Sequence, residues 1–99
     1  MRLWIDDVRP APDGWTWVKT SDEALAILGP DVIQISFDHD LGGDDTAMIV
    51  AKEIEHLAFL GERAPPKWSI HSANPVGRLN LQAALQRADE FWNSNSGSE

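Results

Sequence analysis

Three short stretches of this sequence place ionisable side chains next to one another directly after apolar runs: Asp6 and Asp7 after Leu3–Ile5, Asp38, His39 and Asp40 after Ile35–Phe37, and His71, Ser72 and Asn74 after Trp68–Ile70. If each apolar run is a strand of one parallel sheet, all three sets emerge at the carboxyl edge, where open α/β sheets bind their ligands. Neighbouring strands lie about 4.8 Å apart, so carboxylates from adjacent strands are driven together. Held in a cleft, each pair costs on the order of 1 kcal/mol or more unless a cation sits between them or one takes a proton. Asp6, Asp7 and Asp38 are therefore candidate oxygen ligands for a hard divalent cation, Mg2+ or Mn2+, which keeps several of its waters.

Around that cluster, His71 and His39 are of the one residue type whose unperturbed side chain exchanges protons near neutrality, which makes His71 the first candidate general acid and His39 the second. Arg9 and Arg78 are candidate anion partners. Arg78 lies one turn beyond Asn74, where the start of a helix offers unpaired N–H groups. Ser72 shares that rim. Asp44 and Asp45 read as helix caps, and His56, beside Lys52 and Glu53, as surface. Trp4 and Trp68 read as core. Trp15, next to Asp13 and Gly14, has an alternative use as a stacking surface for a base.

The elements that must position these groups can be read from pattern. Leu3–Ile5 is predicted to be a buried strand, and Pro10, Pro12, Asp13 and Gly14 make a loop of the segment after it. Trp15–Thr20 alternates bulky and polar residues as a second strand, and Thr20 or Ser21 opens a helix through Leu28, stopped by Gly29 and Pro30. Val32–Phe37 is rich in β-branched residues and reads as a strand in a sheet covered on both faces. Asp44, Asp45 and Thr46 cap a helix carrying Val50, Ile54, Leu57 and Ala58 up to Gly61. Trp68–Ser72 is a fourth strand. Asn74 and Pro75 begin a last helix that buries Leu81, Ala84, Leu85, Ala88 and Trp92. The order is that of a small α/β sandwich with a mostly parallel four-stranded sheet. Residues 6–14 are few for a parallel crossover between the first two strands, which usually takes a dozen or more. One domain over residues 1–92 is expected, with a polar, disordered tail over 93–99.

Bulk properties narrow the function. A chain of 99 residues with 42% hydrophobic content makes a single core that buries roughly two thirds of its unfolded surface. Without cysteine, thiolate catalysis, disulfides and cysteine-ligated metals are excluded, and a reducing, cytoplasmic location is expected. No run reaches the roughly 20 apolar residues of a membrane span, so no membrane partner is expected. The formal charge of −8 argues against long duplex nucleic acid as a partner. It leaves room for a small phosphorylated ligand or an RNA end. Oligomeric state is left open.

The stretches LWIDDVRPAP, ISFDHDLG and SIHSANPVGR carry a resemblance to the cyclic-phosphate processing receiver-like family, small bacterial and phage domains related to response-regulator receivers. The resemblance implies a truncated, flavodoxin-like receiver fold. Asp6 with Asp7, Asp38 and Ser72 match the acidic pair, the phosphoacceptor and the hydroxyl position of receivers, while Asp40, His71, Asn74 and Arg78 match the processing family's own motifs. Receivers also use a lysine after a fifth strand. The lysines here are Lys19, Lys52 and Lys67, none after Ser72, which puts a phosphorylation switch in doubt. The resemblance implies action on cyclic phosphates of nucleotides or RNA ends; joined to the cation site read from the carboxylates, it suggests a hydrolase, a metal-dependent phosphodiesterase with Asp6, Asp7 and Asp38 as ligands. Within it His71, His39, Asp38 and Asp40 are catalytic, and Arg9, Ser72, Asn74 and Arg78 bind substrate. The alternatives are a receiver-type switch at Asp38 and a non-enzymatic binder of a nucleotide or host protein.

Overall fold

A computed structural model describes residues 1–96. Its strands are β1 (Arg2–Ile5), β2 (Thr16–Val18), β3 (Gln34–Phe37) and β4 (Lys67–Ile70), and its helices α1 (Ser21–Ile27), α2 (Met48–Leu60) and α3 (Pro75–Ser96). The sheet is parallel throughout in the order β2-β1-β3-β4. β1 and β2 pair despite the short connection between them, because no helix has to fit there. Pro10 and Pro12 forbid one, and indole donors tie the loop down: Trp4 Nε1 donates to the Arg9 carbonyl at 2.9 Å and Trp17 Nε1 to that of Asp6 at 2.7 Å.

β1 and β4 alternate in burial, and the strand register carries the two faces across the sheet. Leu3, Ile5, Val18, Ile35 and Phe37 point into one core with Ala24 of α1, Val50, Ala51, Ile54 and Ala58 of α2, and Leu81, Ala84, Leu85 and Ala88 of α3. All three helices lie on this side. The sequence predicts cover on both faces, and the difference traces to the proline loop, which stands where a helix of the opposite layer would be. Trp68 packs against the core as expected. Trp4 does not: it lies on the opposite face.

Local signals explain most ends. The Thr20 hydroxyl accepts from the Glu23 N–H at 3.0 Å while the Glu23 carboxylate accepts from the Lys19 N–H at 2.7 Å, a reciprocal cap on α1. Gly61, at φ 69°, ends α2 in the left-handed conformation that favours glycine. The start of α2 differs from expectation. Its cap is Ala47, without a side-chain hydrogen bond, because Asp40 pairs with Thr46 in a short antiparallel bridge that turns the chain before the helix begins. Asp45 instead reaches back to α1, accepting from the Ser21 N–H at 2.9 Å and the Ser21 hydroxyl at 2.5 Å. Arg63 carries no signal in the sequence, yet its guanidinium donates to the carbonyls of Gly29 and Val32 and joins two loops at the amino edge of the sheet. α3 continues through Ser96, so residues 93–96 of the expected tail are helical, and residues 97–99 lie outside the described residues. No helix among the described residues is long and apolar enough to cross a membrane.

Candidate functional site

At the carboxyl edge β1, β3 and β4 end side by side, and their polar residues converge there. Asp6 is completely buried. One of its oxygens, Oδ1, accepts from the backbone N–H groups of Val8 at 2.9 Å and Arg9 at 2.8 Å. The other, Oδ2, faces His71 Nε2 at 3.0 Å and Arg9 Nε at 3.1 Å. Burial raises the Asp6 pKa, but those N–H groups, His71 and the Arg9 charge outweigh it and hold the carboxyl below its usual value. Asp38 is in the reverse situation. It is nearly buried, and burial together with the Asp6 charge pushes its pKa up against the His39 N–H, the Arg9 guanidinium and the Ser72 hydroxyl. The nearest guanidinium nitrogen, Arg9 Nη2, is 3.8 Å from Asp38 Oδ1.

Asp7 completes the set: one carboxylate oxygen each from Asp6, Asp7 and Asp38 lies within 4.8 Å of the others. Among the described residues one guanidinium, that of Arg9, reaches Asp6 and Asp38 and none reaches Asp7, which leaves the three carboxylates short of positive charge. Their oxygens are of the kind that Mg2+ or Mn2+ prefers. The residues fit a divalent cation.

The two histidines part company. The Ser69 hydroxyl donates to Ser36 Oγ at 3.2 Å, and Ser36 Oγ lies 2.7 Å from His71 Nδ1. That chain assigns Ser36 as donor to Nδ1 and Nε2–H as donor to Asp6. The ring is also stacked on Trp4, centroids 3.9 Å apart at 6°. With both nitrogens engaged, His71 stands to hold Asp6 rather than to meet an incoming oxygen, which differs from its expected place as general acid. His39 is built otherwise. Its Nδ1 lies 2.9 Å from Asp40 Oδ1, and Asn74 Nδ2 donates to the other Asp40 oxygen at 3.1 Å. These two partners lower the Asp40 pKa. His39 Nε2 has no hydrogen-bond partner among the described residues, on a side chain that is 12% exposed.

α3 fixes this second cluster. The Asn74 carbonyl oxygen Oδ1 accepts from the Gly77 N–H at 3.1 Å, which caps the helix. At Gly77 a Cβ would stand 2.4 Å from His39 Cγ, so only glycine lets the ring lie against the first turn. Ser72 Oγ accepts from the Asn74 N–H at 3.1 Å. Arg78 is turned inward, with Nη1 donating to the carbonyls of Ile70 at 3.0 Å and Ser72 at 3.2 Å. It braces the turn instead of facing the rim. Arg9, the other expected anion partner, lies on Asp6 and also donates to the His71 carbonyl at 3.2 Å. Trp15 meets Trp4 edge-on at 6.0 Å. His56 lies on α2, away from the rim, as its neighbours suggest.

Against known families, the chain matches the model of the cyclic-phosphate processing receiver domain over residues 1–87. It belongs to that family. Comparisons with curated proteins and with solved structures gave no match. Membership in this receiver-domain family agrees with the parallel sheet and with the acidic pair after β1, Asp38 after β3 and Ser72 after β4.

Burial is the main reason the His71 pKa lies below 6.5, outweighing the favourable pull of Asp6. The folded domain then takes up the proton at lower pH than the unfolded chain does. Below about pH 6.5 the unfolded state binds more protons, and folding weakens as the pH falls through that range. Urea midpoints are expected to drop between about pH 7.5 and pH 5.5. The drop should shrink in His71→Gln. An undiminished drop in that variant would assign it to another group.

Proposed function

We propose that this domain is a metal-dependent phosphodiesterase that opens a cyclic phosphate at the rim between β1, β3 and β4. The observation that carries the reading is the meeting of two clusters in a cyclic-phosphate processing domain: three carboxylates short of positive charge, and a histidine oriented by a carboxylate with its other nitrogen unpaired among the described residues. Asp6, Asp7 and Asp38 would hold Mg2+ or Mn2+, which when bound supplies the charge that polarises a phosphoryl oxygen. Asp6 is held for that task by two backbone N–H groups and His71. Water attacks phosphorus and gives up a proton to solvent as the P–O bond to the ring oxygen breaks; His39 starts as the imidazolium, which Asp40 stabilises at Nδ1, gives its Nε2 proton to the departing oxygen and is left as neutral imidazole. Asn74 keeps Asp40 in place.

Incubation with a panel of 2',3'-cyclic nucleotides and cyclic dinucleotides, with manganese and with chelator, tests the reading. Turnover with manganese, abolished by chelator and by Asp38→Asn, is expected. His39→Gln should lose about 10²–10⁴ in rate, and His71→Gln should lose less. Absence of turnover on every member would leave a binding role.

A further inference from the structure

The face of the sheet turned away from the helices has a composition unlike the rest of the molecule. Strand register arranges it in rows. Arg2, Gln34 and Lys67 form one row across β1, β3 and β4, and Trp17, Trp4, Ser36 and Ser69 form the next across all four strands. The acidic rim lies beyond them. None of the strand residues is Asp or Glu, in a chain of net charge −8. Arg2 and Lys67 are exposed, and neither has a carboxylate partner among the described residues. Lys19, just past β2, sets its Nζ 4.4 Å above the ring of Trp17, which is 36% exposed.

Parallel sheets are ordinarily covered on both faces, so a helix-free face bearing two unpaired cations, Arg2 and Lys67, and a partly exposed indole that the Lys19 amine overlies is fitted to a partner. Charge narrows the choice. A second copy of this chain would set the same cations against each other. A duplex hides its bases and has nothing to lay on an indole. A single strand of nucleic acid offers both complements, phosphates for Arg2, Lys19 and Lys67 and a base for Trp17, as on other sheet platforms for single strands. The rows run from the cations through the indoles to the carboxylates, so a strand lying along them brings one end to the rim.

We propose that this face is a track for single-stranded RNA whose 2',3'-cyclic phosphate end lies at the rim. The direction of the strand, and the choice of RNA over DNA, rest on the phosphodiesterase reaction proposed for the rim. The binding itself does not.

The test is fluorescence anisotropy with an end-labelled single-stranded RNA of about eight nucleotides ending in a 2',3'-cyclic phosphate, titrated at several salt concentrations. Binding should weaken with salt, and Arg2→Gln and Lys67→Gln should each reduce the log–log salt slope by about 0.7. Trp17→Ala should weaken binding about fivefold or more. Because Arg2 and Lys67 have no carboxylate partners to lose, their variants report on the face without disturbing the fold. Salt-insensitive binding, or affinity unchanged in both glutamine variants, would overturn the track. So would self-association by sedimentation that those variants abolish. Turnover of 2',3'-cyclic mononucleotides by the parent protein is measured alongside. Turnover without strand binding overturns the track alone, and strand binding without turnover overturns the reaction alone.

Discussion

Asp6→Ala is expected to destabilise the domain by about 3–5 kcal/mol, the usual result of breaking a buried charge pair on one side. Four donors converge on this carboxylate, and the backbone N–H groups of Val8 and Arg9, His71 Nε2 and Arg9 Nε would all lose their acceptor. A domain of this size has about 5–15 kcal/mol in all, so the variant stands near the threshold of folding. Asp7→Ala serves as the contrast. Its carboxylate belongs to the same cluster but accepts no hydrogen bond among the described residues, and the change should stay within about 0.5 kcal/mol. Urea denaturation of the two variants beside the parent measures the difference. Equal losses would mean that the two acids share one structural role, against the reading of Asp6 as anchor and Asp7 as a ligand alone.

That separation of neighbours is not legible in the sequence. The motifs show which groups arrive at the edge of the sheet, because an apolar strand with acids after it needs only local pattern to be seen. Which nitrogen or oxygen is already engaged is decided by tertiary partners far along the chain. His71 is satisfied by Ser36 and Asp6, 35 and 65 residues away. Asp45 reads in sequence as a cap for the helix after it, and it caps the helix before it instead. The proline loop is visible. Its consequence, a sheet with no helix on one face and with Trp4 outside the core, depends on knowing that β2 pairs with β1 without a helix between them. Gly77 carries a signal that sequence alone could have offered: a glycine in the first turn of a helix weakens it, and here it makes room for His39.

The carboxylate cluster gives the second large effect, and it does not depend on the identity of the substrate. If Asp6, Asp7 and Asp38 take up a divalent cation, as proposed, manganese binds the folded domain and stabilises it by mass action. The gain is about 2.7 kcal/mol at a free concentration 100 times the dissociation constant, a rise in melting temperature on the order of 10 °C for a domain of this size. Asp38→Asn should remove most of that gain. Without metal the same variant should be as stable as the parent or slightly more so. Asp38 is the carboxyl that burial and the Asp6 charge push upward, its guanidinium contact is long at 3.8 Å, and the acceptor it presents to the His39 N–H at 2.9 Å survives as an amide oxygen. Removing the charge therefore relieves repulsion and forfeits little. Arg9→Ala should act in the opposite sense, since it deletes the guanidinium that pairs with Asp6 and Asp38: the apo domain loses stability while the shift with manganese grows. An absent shift at millimolar manganese, together with an apo Asp38→Asn less stable than the parent, would make these acids structural caps and end the metal reading.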